Sequence, residues 1–219
     1  MMAFNLPDIP NLVRISKAIA MLDAIICPEW LDRYYSFNAK WSPGEQMASM
    51  RNGSGDGYFV LFNKHGAILK GYAHESAAAE WRLEHGKPLP GMFDGIPPAF
   101  ERFLTEPAFS IDETTFCFWR EFRDQTWNCG TPRYPDESDG GAAEFLAILQ
   151  GDANSYARWA SDYFERSIDA SAVRRVFRHE RLSAELVQSI NSQISVERLR
   201  PDIEEIGYGN DVNSPSVDH

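Results

Sequence analysis

A group of polar residues between positions 51 and 76 has the side-chain types that acid–base chemistry requires. His74, Glu75 and Ser76 directly follow a predicted β-strand, and Arg51 and Asp56 precede the strand predicted to pair with it. A histidine base, an orienting carboxylate and a serine hydroxyl are the components of a nucleophilic relay. Ser76 lacks the G-x-S-x-G turn that exposes such a nucleophile. The sequence therefore predicts a candidate pocket of Arg51, Asp56, His74 and Glu75, suited to a small-molecule-binding protein or a hydrolase-like enzyme.

Other residues that are able to ligate a metal or a cofactor lack the spacing that such sites use. The histidines of residues 65–85 follow neither the H-E-x-x-H nor the H-x-H pattern of a zinc site. The glycines of residues 53–57 lead into a strand, whereas a phosphate-binding loop opens a helix. The acidic loop 136–139 lacks the further oxygen ligands of a calcium loop. We expect no metal and no cofactor.

The charge of the chain disfavours nucleic acids and anionic membranes as partners. The 219 residues contain 32 Asp and Glu against 21 Lys and Arg, for a net charge of -11. Such a surface repels phosphate, which supplies most of the attraction between nucleic acids and proteins.

The apolar positions 12, 15, 19, 22 and 26 repeat as on one face of a helix, and no stretch reaches the length of a membrane span. An odd number of cysteines, three, favours free thiols in the cytoplasm.

Aromatic residues make up 13% of the chain and include six tryptophans. Trp and Tyr are enriched among the residues that dominate binding energy at protein interfaces. Trp41 and Trp81 lie in segments predicted as a loop or the edge of a helix, where burial is less assured. We therefore take Trp41 and Trp81 as candidate interface residues.

The segment that follows the acidic part of the chain is basic. Residues 1–165 hold 14 Lys and Arg against 23 Asp and Glu, whereas residues 166–200 hold seven Arg against four acidic residues. A helix-turn-helix interpretation is disfavoured by the acidic body and by the absence of a tight turn containing glycine. Docking of the basic helices on the acidic body, or a homodimer through the C-terminal helices, accounts for the same charges.

The pattern of apolar residues predicts the elements that position these side chains. Strands are expected at residues 58–62 and 67–72 as one hairpin and at 115–122 and 126–129 as a second. Residues 36–57 are predicted to form a loop, with a short helix over 44–50 as an option. Helices are expected at the ranges 10–27, 29–35, 97–104, 142–150, 152–164, 170–179 and 183–199. This arrangement predicts an α+β fold in which N-terminal and C-terminal helices cover one face of a small antiparallel sheet. We expect an α+β core domain over 1–168, a C-terminal helical extension over 169–200 and a disordered tail over 201–219.

Four stretches resemble a group of uncharacterised bacterial proteins that are similar in style to the immunity proteins of polymorphic toxin systems. They are Phe37 to Trp41, Met47 to Gly53, Phe62 to Ser76 and Glu106 to Ser110, and the resemblance covers roughly residues 35–165. It implies a small, acidic, cytoplasmic α+β protein that binds a protein partner, for example a basic toxin domain, without catalysis. The expected function is therefore a non-enzymatic binding module, with the small-molecule-binding or hydrolase-like alternative left open.

Overall fold

The chain folds around one antiparallel sheet of six strands in the computed structural model, which describes residues 6–135 and 138–209. Each strand pairs with the next along the chain, so the order of strands in the sheet is their order in the sequence. Two of the connections are two-residue turns, which only antiparallel neighbours permit, whereas residues 73–115 separate the fourth strand from the fifth. The strands are β1 (Tyr35–Ser42), β2 (Glu45–Arg51), β3 (Gly57–Asn63), β4 (Gly66–Tyr72), β5 (Phe116–Glu121) and β6 (Asn128–Cys129). Both predicted hairpins are confirmed.

The longest helix, α1 (Ile9–Ile26), begins and ends as its sequence predicts. Asp8 caps it by accepting the Asn11 N–H at 2.9 Å, and Pro28 prevents its extension. The other α-helices of the described residues are α2 (Ala77–His85), α3 (Glu101–Thr105), α4 (Ala142–Leu146), α5 (Ala153–Tyr163), α6 (Ala170–Phe177), α7 (Ala184–Ile190) and α8 (Arg200–Ile206). Within the described ranges, no helix combines the length and the apolar character that a membrane crossing needs.

One face of the sheet packs against α1 and the C-terminal helices. Alternate strand side chains point to this face, and among them Phe37, Val60 and Leu69 share one hydrophobic cluster with Leu22 of α1 and Val176 of α6. An α+β fold with an antiparallel sheet covered by N-terminal and C-terminal helices is therefore confirmed. The helices of residues 169–200 belong to the same hydrophobic core as α1 and the sheet.

The second face of the sheet is also covered, which the sequence did not predict. Leu61 and Trp119 of the sheet pack there against Met92, Phe103 and Phe109. These partners come from residues 77–111, where α2, α3 and short 3-10 turns follow one another. Short helical segments rich in Pro and Gly carry weak sequence signals, so their role as a cover layer was not visible. The sheet is consequently buried between two layers.

The prediction of a loop over residues 36–57 is wrong for most of that range. β1 and β2 form a hairpin there, with Gly44 at a φ of 77° in the turn. Phe37 and Ala48 pair across the strands on the buried face, while the Ser36 and Ser49 hydroxyls lie 2.6 Å apart on the other face. The polar positions suggested a loop, but they are the outward half of a period-two pattern.

The helix predicted over residues 29–35 is also wrong, apart from a single 3-10 turn at Trp30–Asp32. The backbone N–H groups of Tyr34 and Tyr35 donate to the Asp23 carboxylate at 2.9 and 2.8 Å. Because their hydrogen bonds go to α1, these residues turn into β1 instead of extending the helical turn.

The C-terminal region contains two helices where the sequence predicted one helix and a tail. α7 ends at Ile190, and the Asn191 side chain then donates to Ile25 O at 2.8 Å. Residues 201–206 belong to α8, and the Tyr208 hydroxyl is buried and donates to Val176 O at 3.0 Å. The predicted disordered tail is therefore wrong for residues 201–206, and residues 210–219 lie outside the described residues. So do residues 136 and 137 of the acidic loop.

Candidate functional site

The ends of the central hairpin bring Asp56 and His74 together. β3 and β4 are paired so that Gly57 lies opposite Tyr72. Asp56 precedes β3, and His74 follows β4. His74 donates its backbone N–H to Asp56 Oδ1 at 2.7 Å, and its ring Nδ1 lies 2.7 Å from the same oxygen. The register of the hairpin thus creates a carboxylate–imidazole pair.

Asn52 holds the glycine-rich loop that carries Asp56. Its Nδ2 donates to Asp56 Oδ2 at 2.6 Å, and its Oδ1 accepts the N–H groups of Ser54 and Asp56 at 2.8 and 3.1 Å. Gly53 and Gly55 have φ values of 75° and 105°, which glycine adopts without a steric penalty. The loop is therefore a turn held by the Asn52 side chain, which accepts hydrogen bonds from two backbone N–H groups of the loop.

The contacts within the pair shift the pKa values of Asp56 and His74 in opposite directions. Burial raises the pKa of Asp56, but hydrogen bonds from the backbone and ring of His74 and from Asn52 outweigh it, so this pKa lies below its ordinary value of 3.8. The hydrogen bond to Asp56 raises the pKa of His74 above its ordinary value of 6.5. The Asp56 side chain is 8% exposed and that of His74 42% exposed. A buried carboxylate therefore orients an imidazole that solvent reaches.

A pocket of about 330 Å³ opens beside this pair. Asp56, His74 and Glu75 line it, so the structure brings three of the four predicted pocket residues together. Glu75 is 90% exposed, and its Oε1 lies 3.8 Å from His74 Nε2. Asp139 and Glu144 add two carboxylates from the side of α4. The pocket is acidic and suits a cationic group.

Ser76 lines the same pocket, but its hydroxyl group serves α2. It donates to Ala73 O at 2.7 Å and accepts the Ala79 N–H at 3.2 Å, which is the pattern of a helix N-cap. The site thus holds the base and the orienting carboxylate of a relay, while the predicted nucleophile caps a helix. His74 is placed to exchange a proton with water or with a polar group of a ligand in the pocket.

Arg51, the fourth predicted pocket residue, lies apart from the other three. Its guanidinium carbon is 4.1 Å from the centroid of the Trp30 ring. Its Nη2 donates to Trp30 O at 2.5 Å and its Nε donates to Arg33 O at 3.3 Å. These contacts direct the side chain toward residues 30–33, where a cation–π interaction orders Trp30.

Trp30, Leu31 and Tyr163 are exposed, and we call these three side chains the aromatic patch. Their exposed fractions are 47%, 79% and 45%. Tyr34 connects them, because its ring centroid lies 5.0 Å from that of Tyr163 and its carbonyl accepts the Arg51 N–H at 2.9 Å. Exposed apolar side chains held on a rigid base are typical of interaction surfaces.

Carboxylates border the aromatic patch. Burial raises the pKa of Tyr34 to about 12, and the charges of Asp56 and Glu144 add to this effect. Burial likewise raises the pKa of Tyr163, with a contribution from the charge of Asp32. Asp32 and Glu144 are exposed. Tyr34, which contacts Tyr163 of the aromatic patch, is thus within electrostatic range of Asp56 and Glu144 of the acidic pocket. We call the patch and the pocket together the acidic aromatic face.

The two predicted interface residues are half-buried. Trp41 stacks on Phe109 with 5.9 Å between ring centroids, and Trp81 stacks on His85 at 3.7 Å. Both tryptophans pack against the hydrophobic cluster on the second face of the sheet. The most exposed tryptophan in the structure is instead Trp30, which was not among the predicted interface residues. Its position in a short turn after Pro28 was the available signal.

The basic C-terminal segment is paired locally. Arg175 Nε donates to Glu180 at 2.8 Å, and Arg178 Nη2 donates to the same carboxylate at 2.6 Å. Arg174 donates to Asn154 of α5 at 2.8 Å. Two arginines are thus paired with a carboxylate and a third with a neutral amide, and a homodimer through the C-terminal helices stays a prediction.

The described residues contain no group of three or more His, Cys, Asp or Glu side chains arranged to hold a metal ion. Cys27, Cys117 and Cys129 are free thiols. Comparison of the chain with protein-family models, with curated proteins and with solved structures finds no match.

Proposed function

We propose that this chain is a non-enzymatic, cytoplasmic protein-binding module that captures a basic protein through its acidic aromatic face. The observation that carries the proposal is the position of the aromatic patch beside exposed carboxylates. Trp30 and Leu31 supply apolar area for a partner to bury, and they are 47% and 79% exposed. Asp32, Glu75 and Glu144 supply charges that attract a basic surface.

The chemistry of this face defines the partner. An aromatic centre with a charged rim is the usual anatomy of a protein interface, and the acidic pocket is large enough for one Lys or Arg side chain. The net charge of -11 speeds the approach of a basic protein at low salt. Together with the resemblance to immunity proteins, these features favour a toxin domain as the partner and its neutralisation as the function.

Affinity capture from a lysate of the source organism tests the proposal. The wild-type chain should retain a basic protein that mass spectrometry identifies and that rising salt releases. A double variant, Trp30→Ala with Leu31→Ala, should lose at least about tenfold in affinity for that protein, since exposed anchors of this kind contribute 2 kcal/mol or more. Leu83→Ala is the matched control, because Leu83 is 69% exposed and lies in the second half of α2, a helix whose Ala78 and Trp81 pack on the second face of the sheet.

Two results would contradict the proposal. One is the absence of any retained protein at low salt, and the other is an equal loss of affinity in the Leu83→Ala control. An immunity function also requires that the captured protein is toxic. Its expression alone should arrest growth, and co-expression of this chain should restore growth, whereas co-expression of the double variant should not.

The alternative function, a small-molecule-binding or hydrolase-like protein, rests on the Asp56–His74 pair. Hydrolysis of a small activated ester distinguishes it from the binding module. Turnover that His74→Ala abolishes and that Trp30→Ala leaves intact would favour the enzyme. Turnover that neither variant changes would come from the surface of the protein and would not support a catalytic role.

A further inference from the structure

A second concave site lies at the opposite end of the strands from the acidic pocket. It is a groove of about 920 Å³ between the N-terminal half of α1 and the turns that join β1 to β2 and β3 to β4. At this end of β3 Asn63 pairs with Gly66, whereas the acidic pocket lies at the end where Gly57 pairs with Tyr72. Seven strand residues span about 20 Å. The groove is therefore a separate site, and its volume suits a small molecule.

The groove carries positive charge in an otherwise acidic protein. Arg14, Lys17 and Lys40 line it, and Glu45 is its one acidic lining residue. The Glu45 carboxylate already accepts the Ser42 hydroxyl at 2.6 Å and lies within reach of an arginine outside the groove. Among the described residues, Arg14 and Lys40 are thus the cations that a small anion meets in the groove.

Arg14 is the cation with the greatest capacity for a ligand. Among the residues that the structure describes, its guanidinium forms no ion pair and no hydrogen bond. Lys40 pairs with Glu204 at 3.1 Å, but both side chains are more than 70% exposed, and pairs of this kind are weak. Lys17 is buried, with its ammonium group 5.6 Å from the centroid of the Phe37 ring.

Gln46 adds a buried acceptor to the groove. It pairs with Phe62 in the register of β2 and β3, so its side chain shares the sheet face that α1 covers. Its Oε1 is buried and has no hydrogen-bond partner among the described residues. An acceptor in this state is costly, and a ligand with an N–H or O–H group would satisfy it.

The walls of the groove are apolar. Ile9 and Val13 of α1 face Phe62 of β3 across it. Phe122, which follows β5, also lines the groove and is 58% exposed. A ring or an alkyl chain of a ligand would remove this surface from water.

We propose that the groove binds an amphipathic organic anion. The anionic head group pairs with Arg14, supported by the charge of Lys40. The apolar body lies along Phe62 and Phe122, and an N–H or O–H group of the ligand donates to Gln46 Oε1. A carboxylate and a phosphate monoester share this chemistry, so the two head groups are distinguished by experiment.

Two matched fluorescent probes test the proposal on the full chain. 8-Anilinonaphthalene-1-sulfonate carries rings, an N–H donor and a negative charge, whereas N-phenyl-1-naphthylamine has the same rings and donor without the charge. The anionic probe should bind at least about tenfold more tightly, as expected for a charge-assisted contact. Arg14→Gln should weaken its binding about tenfold and change that of the neutral probe less than about twofold. Gln46→Leu and Phe122→Ser should lower the affinity of the groove for both probes.

Matched controls fix the location. Arg158→Gln removes a 70% exposed arginine from α5, and Leu83→Ser removes an exposed apolar side chain from α2, and neither should change binding. If Arg14→Gln fails to fold, Lys40→Gln at a 73% exposed position tests the charge instead. Equal binding of the two probes, or a loss of binding in Trp30→Ser and not in the groove variants, would overturn the proposal. Displacement of the sulfonate by decanoate or by decyl phosphate then identifies the preferred head group.

Discussion

Replacement of Asp23 by Asn is expected to remove a pH dependence from the stability of the protein. Asp23 is fully buried on α1, and its Oδ2 accepts the N–H groups of Tyr34 and Tyr35 at 2.9 and 2.8 Å. Its Oδ1 accepts the Tyr156 hydroxyl at 2.6 Å. Burial raises the pKa of Asp23 to about 7 from an ordinary 3.8, although these hydrogen bonds and the charge of Arg33 oppose the effect.

The direction of the pH dependence follows from this raised pKa. The folded protein holds the Asp23 proton more tightly than the unfolded chain does, so the stabilisation is complete below about pH 4 and is lost as the pH rises to about 7. One pKa unit corresponds to about 1.4 kcal/mol, which gives about 4 kcal/mol in full. About 2 to 3 kcal/mol of this falls between pH 5 and pH 8.

Urea unfolding of the wild type and of Asp23→Asn at pH 5 and pH 8 measures the effect. Asn does not titrate, and its side chain is able to accept from Tyr34 and Tyr35 while donating to the Tyr156 oxygen. Between pH 5 and pH 8, the free energy of unfolding of the wild type should therefore fall by about 2 to 3 kcal/mol relative to that of Asp23→Asn. Asp23→Ala leaves three donors without an acceptor, so its free energy of unfolding should be lower than that of the wild type by about 3 kcal/mol or more at both pH values. A difference between wild type and Asn that stays constant within about 0.5 kcal/mol would refute the reasoning.

Three further results are expected. Gly71→Ala should lower the free energy of unfolding by more than about 2 kcal/mol in urea, because a Cβ there would overlap the Phe116 ring; an unchanged midpoint would contradict this. Cys117 is buried with a raised thiol pKa, so it should react with a thiol reagent only on unfolding, after the two half-buried cysteines. Asp56→Asn should lower the pKa of His74 toward 6.5 in an NMR titration, since Asp56 supplies the hydrogen bond that raises it. An unchanged His74 titration would show that this hydrogen bond is not formed in solution.

The sequence predicts a helix or a hairpin well where its apolar residues and its capping or turn residues are all close together in the chain. Residues 58–72 contain two apolar, β-favouring runs on either side of a turn that ends in glycine, and α1 has both a cap and a following proline. The register of that hairpin also explains why Asp56 and His74 could be grouped in advance, because residues on either side of paired strands must meet.

The remaining features depend on long-range contacts that no local pattern contains. The 3-10 turn at residues 30–32 stops because Asp23, on another element, takes the N–H groups of Tyr34 and Tyr35. The contact of Trp30 is with Arg51, 21 residues later in the chain, which the sequence predicted to lie in the pocket. The groove beside Arg14 is formed by α1 and two turns that are distant in sequence, so only the assembled fold shows it.

The carboxylates in and beneath the acidic aromatic face fall into two groups, and the loss of each group has a different consequence. Asp23 and Asp56 are buried and accept backbone N–H groups, so their loss acts on the fold. Asp32 and Glu75 are exposed, so their loss should act on the approach of a partner and little on stability. Attraction between exposed charges is screened over about 10 Å at 0.1 M salt. Replacing the exposed pair by Asn and Gln should therefore slow association and reduce its dependence on salt, whereas the dissociation rate should follow Trp30 and Leu31.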